Sequence, residues 1–225
     1  KIGFWACPQG SGFRHSLPDK NRESSNKGSI PHASCASIKN SANFTSYFLV
    51  YRTQTSMNYH FRKATITDAP KIWIILQQAI LRRKIDGSNQ WQDGYPNPQI
   101  IQQDIEKGIG YVLTDDNIII GYTAVLINNE PEYANLQGKW ITNSDFVVFH
   151  RVAIAENHLG KNLSKKIIDF IEKFALTNNI HSLKADTNHD NFAMMSIFEK
   201  SGFVFCGIVH FRGSPRRAYE KVLNA

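Results

Sequence analysis

From residue 57 onward, apolar and polar positions follow two recognisable periods. Tyr59 to Ala64 alternates at period two, as a strand with one buried face does. Thr67-Asp68-Ala69-Pro70 joins a capping hydroxyl, an early acid and a proline confined to the first turn, which predicts a helix start. Behind it Ile72, Ile75, Leu76, Ala79 and Ile80 recur at helical spacing. A second, short helix is predicted from Pro98 to Lys107, stopped by Gly108. Two β-rich runs, Tyr111 to Thr114 and Ile118 to Ile127, flank Asp115-Asp116-Asn117, residues suited to a tight hairpin. A longer strand, Phe146 to Ile154, leads through a loop at Ala155 to Lys161 into an amphipathic helix. That helix sets Leu163, Ile167, Phe170, Ile171 and Phe174 on one face and Lys165, Lys166, Asp169, Glu172 and Lys173 on the other. Strand Ser182 to Thr187, helix Phe192 to Lys200 and strands Phe203 to Phe211 and Ala218 to Leu223 complete the order β, α, α, β, β, β, α, β, α, β, β.

This order belongs to the α/β (α+β) class: a seven-stranded mixed sheet flanked by helices. Its centre is a β-loop-α-β unit, strand 146–154, helix 163–176 and strand 182–187, expected to form a right-handed crossover between parallel strands.

Residues 1–56 read differently. They carry ten Ser and no sustained period apart from the apolar patch Phe44 to Tyr51, too little apolar surface to offset the entropy of ordering. They also hold seven basic and two acidic residues, so +5 of the chain's +7 lies there and the remainder is close to neutral. These residues are expected to be a disordered or non-native extension, with the domain beginning at Met57. A nucleic-acid surface would need its Lys and Arg gathered on a folded face, so no nucleic-acid partner is expected. Apolar runs such as Ile118-Ile119-Ile120 fall far short of the roughly 20 residues of a membrane span. Cys7, Cys35 and Cys206 are odd in number and unpaired by spacing, which argues against a disulfide framework or a zinc site. A cytoplasmic protein without a membrane partner is the expectation.

The stretch Val152 to Ser164 carries candidate chemistry. A buried strand runs into a short Gly-Lys loop, and the loop opens a helix whose first amides lack helical partners, a geometry that suits a phosphate or pyrophosphate. Lys161, Lys165 and Lys166 add positive charge. A plain structural turn is the alternative. A second amphipathic segment, Asn191 to Phe203, closes on Gly202-Phe203.

With this spacing and strand order, the two segments resemble the GNAT acetyltransferase superfamily over Met57 to Ala225. The similarity is strongest to a bacterial branch marked by runs like Gln90-Trp91-Gln92-Asp93-Gly94-Tyr95-Pro96 and His150-Arg151-Val152-Ala153. The resemblance implies a mostly antiparallel sheet around the central parallel unit, with acetyl-CoA as acyl donor; the residues themselves give no metal site, so no metal is expected. It places the pantetheine arm along Val152, Ala153 and Ile154, the pyrophosphate over Leu159, Gly160, Lys161, Asn162, Leu163 and Ser164, and further cofactor contacts at Asn191, Met194 and Phe198. The loop departs from the family pattern: Leu159, Asn162 and Ser164 stand where Arg or Gln, Gly, and Gly or Ala are usual. Backbone amides still supply the binding. Phe198 stands where the family often has a proton-donating Tyr.

Acyl transfer to an amine needs a base for the amine, a donor for the oxyanion and a proton for the departing thiolate. Period two puts residues 150, 152 and 154 on one strand face. His150, just upstream of the expected thioester, is therefore the candidate base, the alternative being a core hydrogen-bonding residue. Asp186 at the end of the next strand is a second candidate, its alternative a cap or turn residue before the following helix. His189 and Asp190 lack further metal ligands at useful spacing. Gln90, Trp91 and Tyr95 border the acceptor pocket by resemblance, and Asn188 and Arg212 are further substrate candidates. Arg212, Arg216 and Arg217 are expected to crowd the turn between the last two strands, either reading a substrate carboxylate or phosphate or simply solvated. The expected function is N-acetylation of a small-molecule or amino-acid-like primary amine. Its alternatives are an inactive acyl-CoA-binding regulatory domain and a protein N-terminal or Lys acetyltransferase. A homodimer is left open.

Overall fold

The computed structural model describes residues 58–224. The expectation for residues 1–56 lies outside them. The elements are β1 (Tyr59–Lys63), α1 (Ala69–Ile85), α2 (Pro98–Glu106), β2 (Gly110–Asp115), β3 (Ile118–Ile127), β4 (Gln137–Gly138), β5 (Val147–Ile154), α3 (Leu163–Thr177), β6 (Ser182–Asn188), α4 (Phe192–Lys200), β7 (Val204–Phe211) and β8 (Ser214–Val222). They form one sheet in the order β1-β2-β3-β5-β6-β8-β7-β4. Only β5 and β6 run parallel.

Local chemistry explains the boundaries. The Asp68 carboxylate accepts from the Thr65 amide at 2.7 Å and the Thr65 hydroxyl at 2.9 Å, closing the turn that opens α1. Asn97 and Asn191 cap α2 and α4 by accepting from the Ile100 and Met194 amides. Asp116 and Asn117, both with positive φ, make the two-residue β2–β3 turn. The α1 periodicity is packed as expected. Ile72, Ile75 and Leu76 are fully buried against one face of the sheet, each contributing on the order of 2 kcal/mol. Ile167, Ile168 and Ile171 of α3 bury the other face, together with Phe198 of α4.

Two expectations need correction. The sheet has eight strands rather than seven, because Gln137–Gly138 pairs with Ile208 and Gly207. Gly138 and Gly207 pack backbone to backbone: a Cβ on Gly138 would lie 2.1 Å from the Cys206 carbonyl oxygen. A two-residue strand carries no period to read. The last strand also begins at Ser214, not Ala218. Arg212 and Gly213, with φ of 50° and 75°, close a tight turn, so Arg216 and Arg217 sit within β8. Pro215 argues against a central strand, but it lies beyond the last β6 pairing, at Asn188 and Arg216, and so blocks no ladder bond there.

Candidate active site

Parallel pairing between β5 and β6 is limited to Val147 with Leu183 and Val148 with Lys184. Past that point the strands part, opening a cleft through the sheet. β5 carries a bulge at the cleft. Tyr122 pairs with Ala153 and Ala124 with His150, so Thr123 alone opposes Arg151 and Val152. Arg151 takes φ +57°, and the Thr123 hydroxyl donates to the His150 carbonyl at 2.9 Å.

The bulge overturns the period-two placement of His150. Val147 and Phe149 face α3 and α4, and beyond the extra residue Val152 and Ile154 face that side again. His150 points to the opposite side, where its ring meets Phe211. Residues 150 and 152 therefore do not share a face. His150 joins the cleft from the Phe211 side instead.

Three cavities follow the cleft. The first, about 300 Å³, is lined by Val152, Ala153, Ile154, Leu159, Ser164, Asn191 and Met194, with Arg82, Arg83 and Trp91 across from them. At its end Gly160 and Asn162 both adopt positive φ. The first α3 bond runs from the Lys166 amide to the Asn162 carbonyl at 3.1 Å, so the amides of Leu163, Ser164 and Lys165 precede the helical ladder. The groove and these amides fit the pantetheine and pyrophosphate of a CoA thioester. The Leu163 side chain is core, so that residue offers the groove only its backbone. Lys161 is exposed on the same loop, and Lys165 pairs with Asp169 at 2.7 Å.

A narrow channel of about 60 Å³ follows, bordered by Gln90, Trp91, Tyr95, His150, Asp186, Met194 and Phe198. Gln90 is buried, and its side-chain carbonyl accepts from the Asn191 amide group at 3.0 Å, tying the α1–α2 loop to the start of α4. Phe198 packs on Phe149, Phe203 and Tyr219. Asp186 caps nothing, since Asn191 serves that end of α4.

On the far side lies a cavity of about 370 Å³, reached by Tyr95, Glu130, His150, Arg151, Arg212 and Arg216. The His150 Nε2 is hydrogen-bonded to Glu130, and its Nδ1 stands 3.9 Å from Asp186. Asp186 accepts from the Tyr133 hydroxyl at 2.9 Å and from Arg216 at 3.2 Å. Burial raises the Glu130 carboxyl, opposed by the bond to His150. Burial pushes the Tyr133 phenol well up, reinforced by the nearby Asp186 and Glu130 charges. The imidazole thus sits between two carboxylates. Asn188 and Arg212 border an adjoining hollow of about 210 Å³ with Gln90 and Trp91. Arg212 pairs with Asp93 at 3.0 Å and lies over the Tyr95 ring.

Sequence reasoning missed Glu130, Tyr133, Arg82 and Arg83, and placed Arg216 in a turn. Glu130 and Tyr133 follow β3 in an irregular segment with no periodic signal. Arg82 and Arg83 read as ordinary cations of a helix end. Among the described residues no group of three His, Cys, Asp or Glu is arranged to hold a metal ion, and no helix is long and apolar enough to cross a membrane.

Residues 73–203 match the acetyltransferase (GNAT) family. The chain belongs to that family, a class of N-acetyltransferases that take acetyl-CoA as acyl donor. A GNAT-family acetyltransferase from Streptococcus agalactiae superposes with a TM-score of 0.70 at 29% identity, covering 74% of this chain and 96% of that one. An acetyltransferase-fold protein from Salmonella typhimurium, solved with its cofactor acetyl-CoA, superposes with a TM-score of 0.55 at 17% identity over 75% of this chain and 95% of its own. The streptothricin acetyltransferase of Escherichia coli is 28% identical over 84 residues, 36% of this chain and 48% of that protein, so the match spans about half of that relative.

Proposed function

We propose that this protein transfers the acetyl group of acetyl-CoA to the primary amine of a small-molecule or amino-acid-like acceptor by direct attack on the thioester. The continuity of the three cavities carries this reading. A groove shaped for the donor meets a separate cavity through a channel, and an ionisable imidazole stands at the junction. Bound there, acetyl-CoA supplies an activated acyl group. The chain's own residues do the rest. The acceptor cavity mixes Glu130 and Glu132 with Lys107, Arg212 and Arg216, so it offers carboxylates to an arriving ammonium and cations to an acidic group elsewhere on the acceptor. His150, oriented by Glu130, accepts the proton that makes the amine nucleophilic. The unpaired amides at the start of α3 hold the phosphates. A volume of about 370 Å³ is in the range of small-molecule sites, which favours a compact acceptor over a protein.

The test is thiol release from acetyl-CoA across a panel of amino acids, aminoglycosides, polyamines and peptides. Rapid release with one amine class supports the reading. Tight acetyl-CoA binding with no release on any amine would favour an acyl-CoA-binding domain, the reading to which Phe198 in the channel wall lends weight.

A further inference from the structure

Expulsion of a thiolate at neutral pH is helped by a proton donor beside the sulfur, and the α4 wall of the channel offers none: Met194 and Phe198 have no proton to give. The other groups on the channel are committed or unsuited. The Asn191 and Gln90 amides and the Thr187 hydroxyl are far too weak as acids, and Asp186 is a carboxylate already accepting two hydrogen bonds. His150 serves the acceptor end, and arginine holds its proton too tightly to act as an acid. Tyr95 is different. It lines both the channel and the acceptor cavity, and the Nη1 of Arg151 donates to its phenolic oxygen. A guanidinium can only donate, so the Tyr95 hydroxyl hydrogen is directed away from Arg151 and is free for another acceptor.

We infer that Tyr95 is the general acid of the transfer, taking from the α1–α2 loop the part that Phe198 cannot play. This rests on the acyl-transfer reading above. The acceptor's ammonium first gives one proton to His150, which passes it to water. The amine nitrogen then bonds to the acetyl carbon, the carbonyl electron pair moving to oxygen, and the extra proton left on nitrogen passes to His150 in turn. The carbon–sulfur bond then breaks, its electron pair goes to sulfur, and the Tyr95 proton moves onto that sulfur to give the free thiol. The phenolate left behind is stabilised by Arg151. Exchange with water returns a proton to Tyr95 and removes one from His150. Arg151 is itself held by Asp104, at 3.0 Å from Nε and 2.9 Å from Nη2, so the phenolate's partner is fixed before the reaction begins.

The experiment is Tyr95→Phe, which keeps the ring under Arg212 and removes only the hydroxyl. It is assayed with the best amine from the panel and two donors: acetyl-CoA, and the acetyl thioester of 4-nitrothiophenol, whose thiolate leaves without a proton. With acetyl-CoA, kcat should fall about 10²-fold or more, while acetyl-CoA affinity by calorimetry holds. With the nitrothiophenyl donor the deficit should largely vanish. Adding Phe198→Tyr to the variant should recover part of the loss by returning a phenol to the same channel. A Tyr95→Phe enzyme as active as the wild type, or equally impaired with both donors, overturns the assignment. A wild-type protein that releases no thiol on any amine overturns the acyl-transfer reading itself.

Discussion

Arg151 and Asp104 form a two-bonded ion pair that joins the β5 bulge to α2, with only 8% and 6% of the two side chains exposed. The Tyr122 hydroxyl adds a bond to the same carboxylate at 2.6 Å. Burial and the adjacent Asp104 charge push the Tyr122 phenol far above its ordinary range. A residue with φ of +57° that is not glycine is held in place by surroundings that over-determine it, and this network is that restraint at Arg151. Because the bulge decides which way His150 points, the pair links stability to the site.

Breaking this pair from one side leaves the other charge buried. Asp104→Asn should therefore cost about 3–5 kcal/mol of folding free energy, read as a lower urea midpoint. Asp104→Asn with Arg151→Met should be less damaging than the sum of the two single changes, a coupling that a double-mutant cycle measures directly.

The donor loop makes a separate prediction. Asn162 takes φ of +56° at the start of α3, a conformation glycine adopts freely and proline cannot. Asn162→Gly should keep or tighten acetyl-CoA binding. Asn162→Pro should weaken it at least about tenfold, roughly 1.4 kcal/mol, by distorting the turn that aims the amides. Equal affinities in calorimetry would show that the phosphates lie elsewhere.

Much of the fold was legible because its signals are local and repeated. The apolar stripe of α1, the Asp116-Asn117 turn and the amphipathic α3 each state their structure within a few residues. The strand, loop and helix start that line the groove from Val152 to Ser164 were legible for the same reason, being contiguous. The polar side of the cleft was not. Its polar cluster joins Glu130, Tyr133, His150, Asp186 and Arg216 from four separate segments, and no spacing in the chain encodes that meeting. The one geometric argument that reached it, period two along β5, failed at a single extra residue. Neither Arg151 nor Thr123 is a glycine or proline that would have marked the bulge.

The start of α1 offers a pH test. Arg62 donates to Asp68 at 2.7 and 3.0 Å, and this bond, opposed by partial burial and aided by the Thr65 amide, lowers the Asp68 carboxyl to about 2. Unfolding restores its ordinary value near ~4, so as pH falls the unfolded chain takes up this proton first. The stabilisation is complete above that unfolded value and drains away as pH drops toward about 2. Asp68→Asn should be less stable than the wild type at neutral pH, and the gap should close through that window. Parallel stability curves for the two proteins would mean that Asp68 contributes nothing through its charge.

His150 provides the sharpest test of the site. Its ring lies on the Phe211 side of the sheet, held by Glu130, whereas the groove proposed for the donor is lined by Val152, Ile154 and the start of α3 on the other side. The two functions should separate on mutation. His150→Ala should lower kcat by about 10²- to 10⁴-fold and leave acetyl-CoA affinity within about twofold, because it removes no donor contact. Glu130→Gln retains the imidazole but exchanges the carboxylate that orients it for a neutral amide, so it should lose less, and mainly in kcat. The pH–rate profile of His150→Ala should change shape, since an ionisable group has left the junction. His150→Gln with near wild-type kcat and an unchanged profile would remove His150 from the mechanism and leave Asp186 or solvent as the proton acceptor.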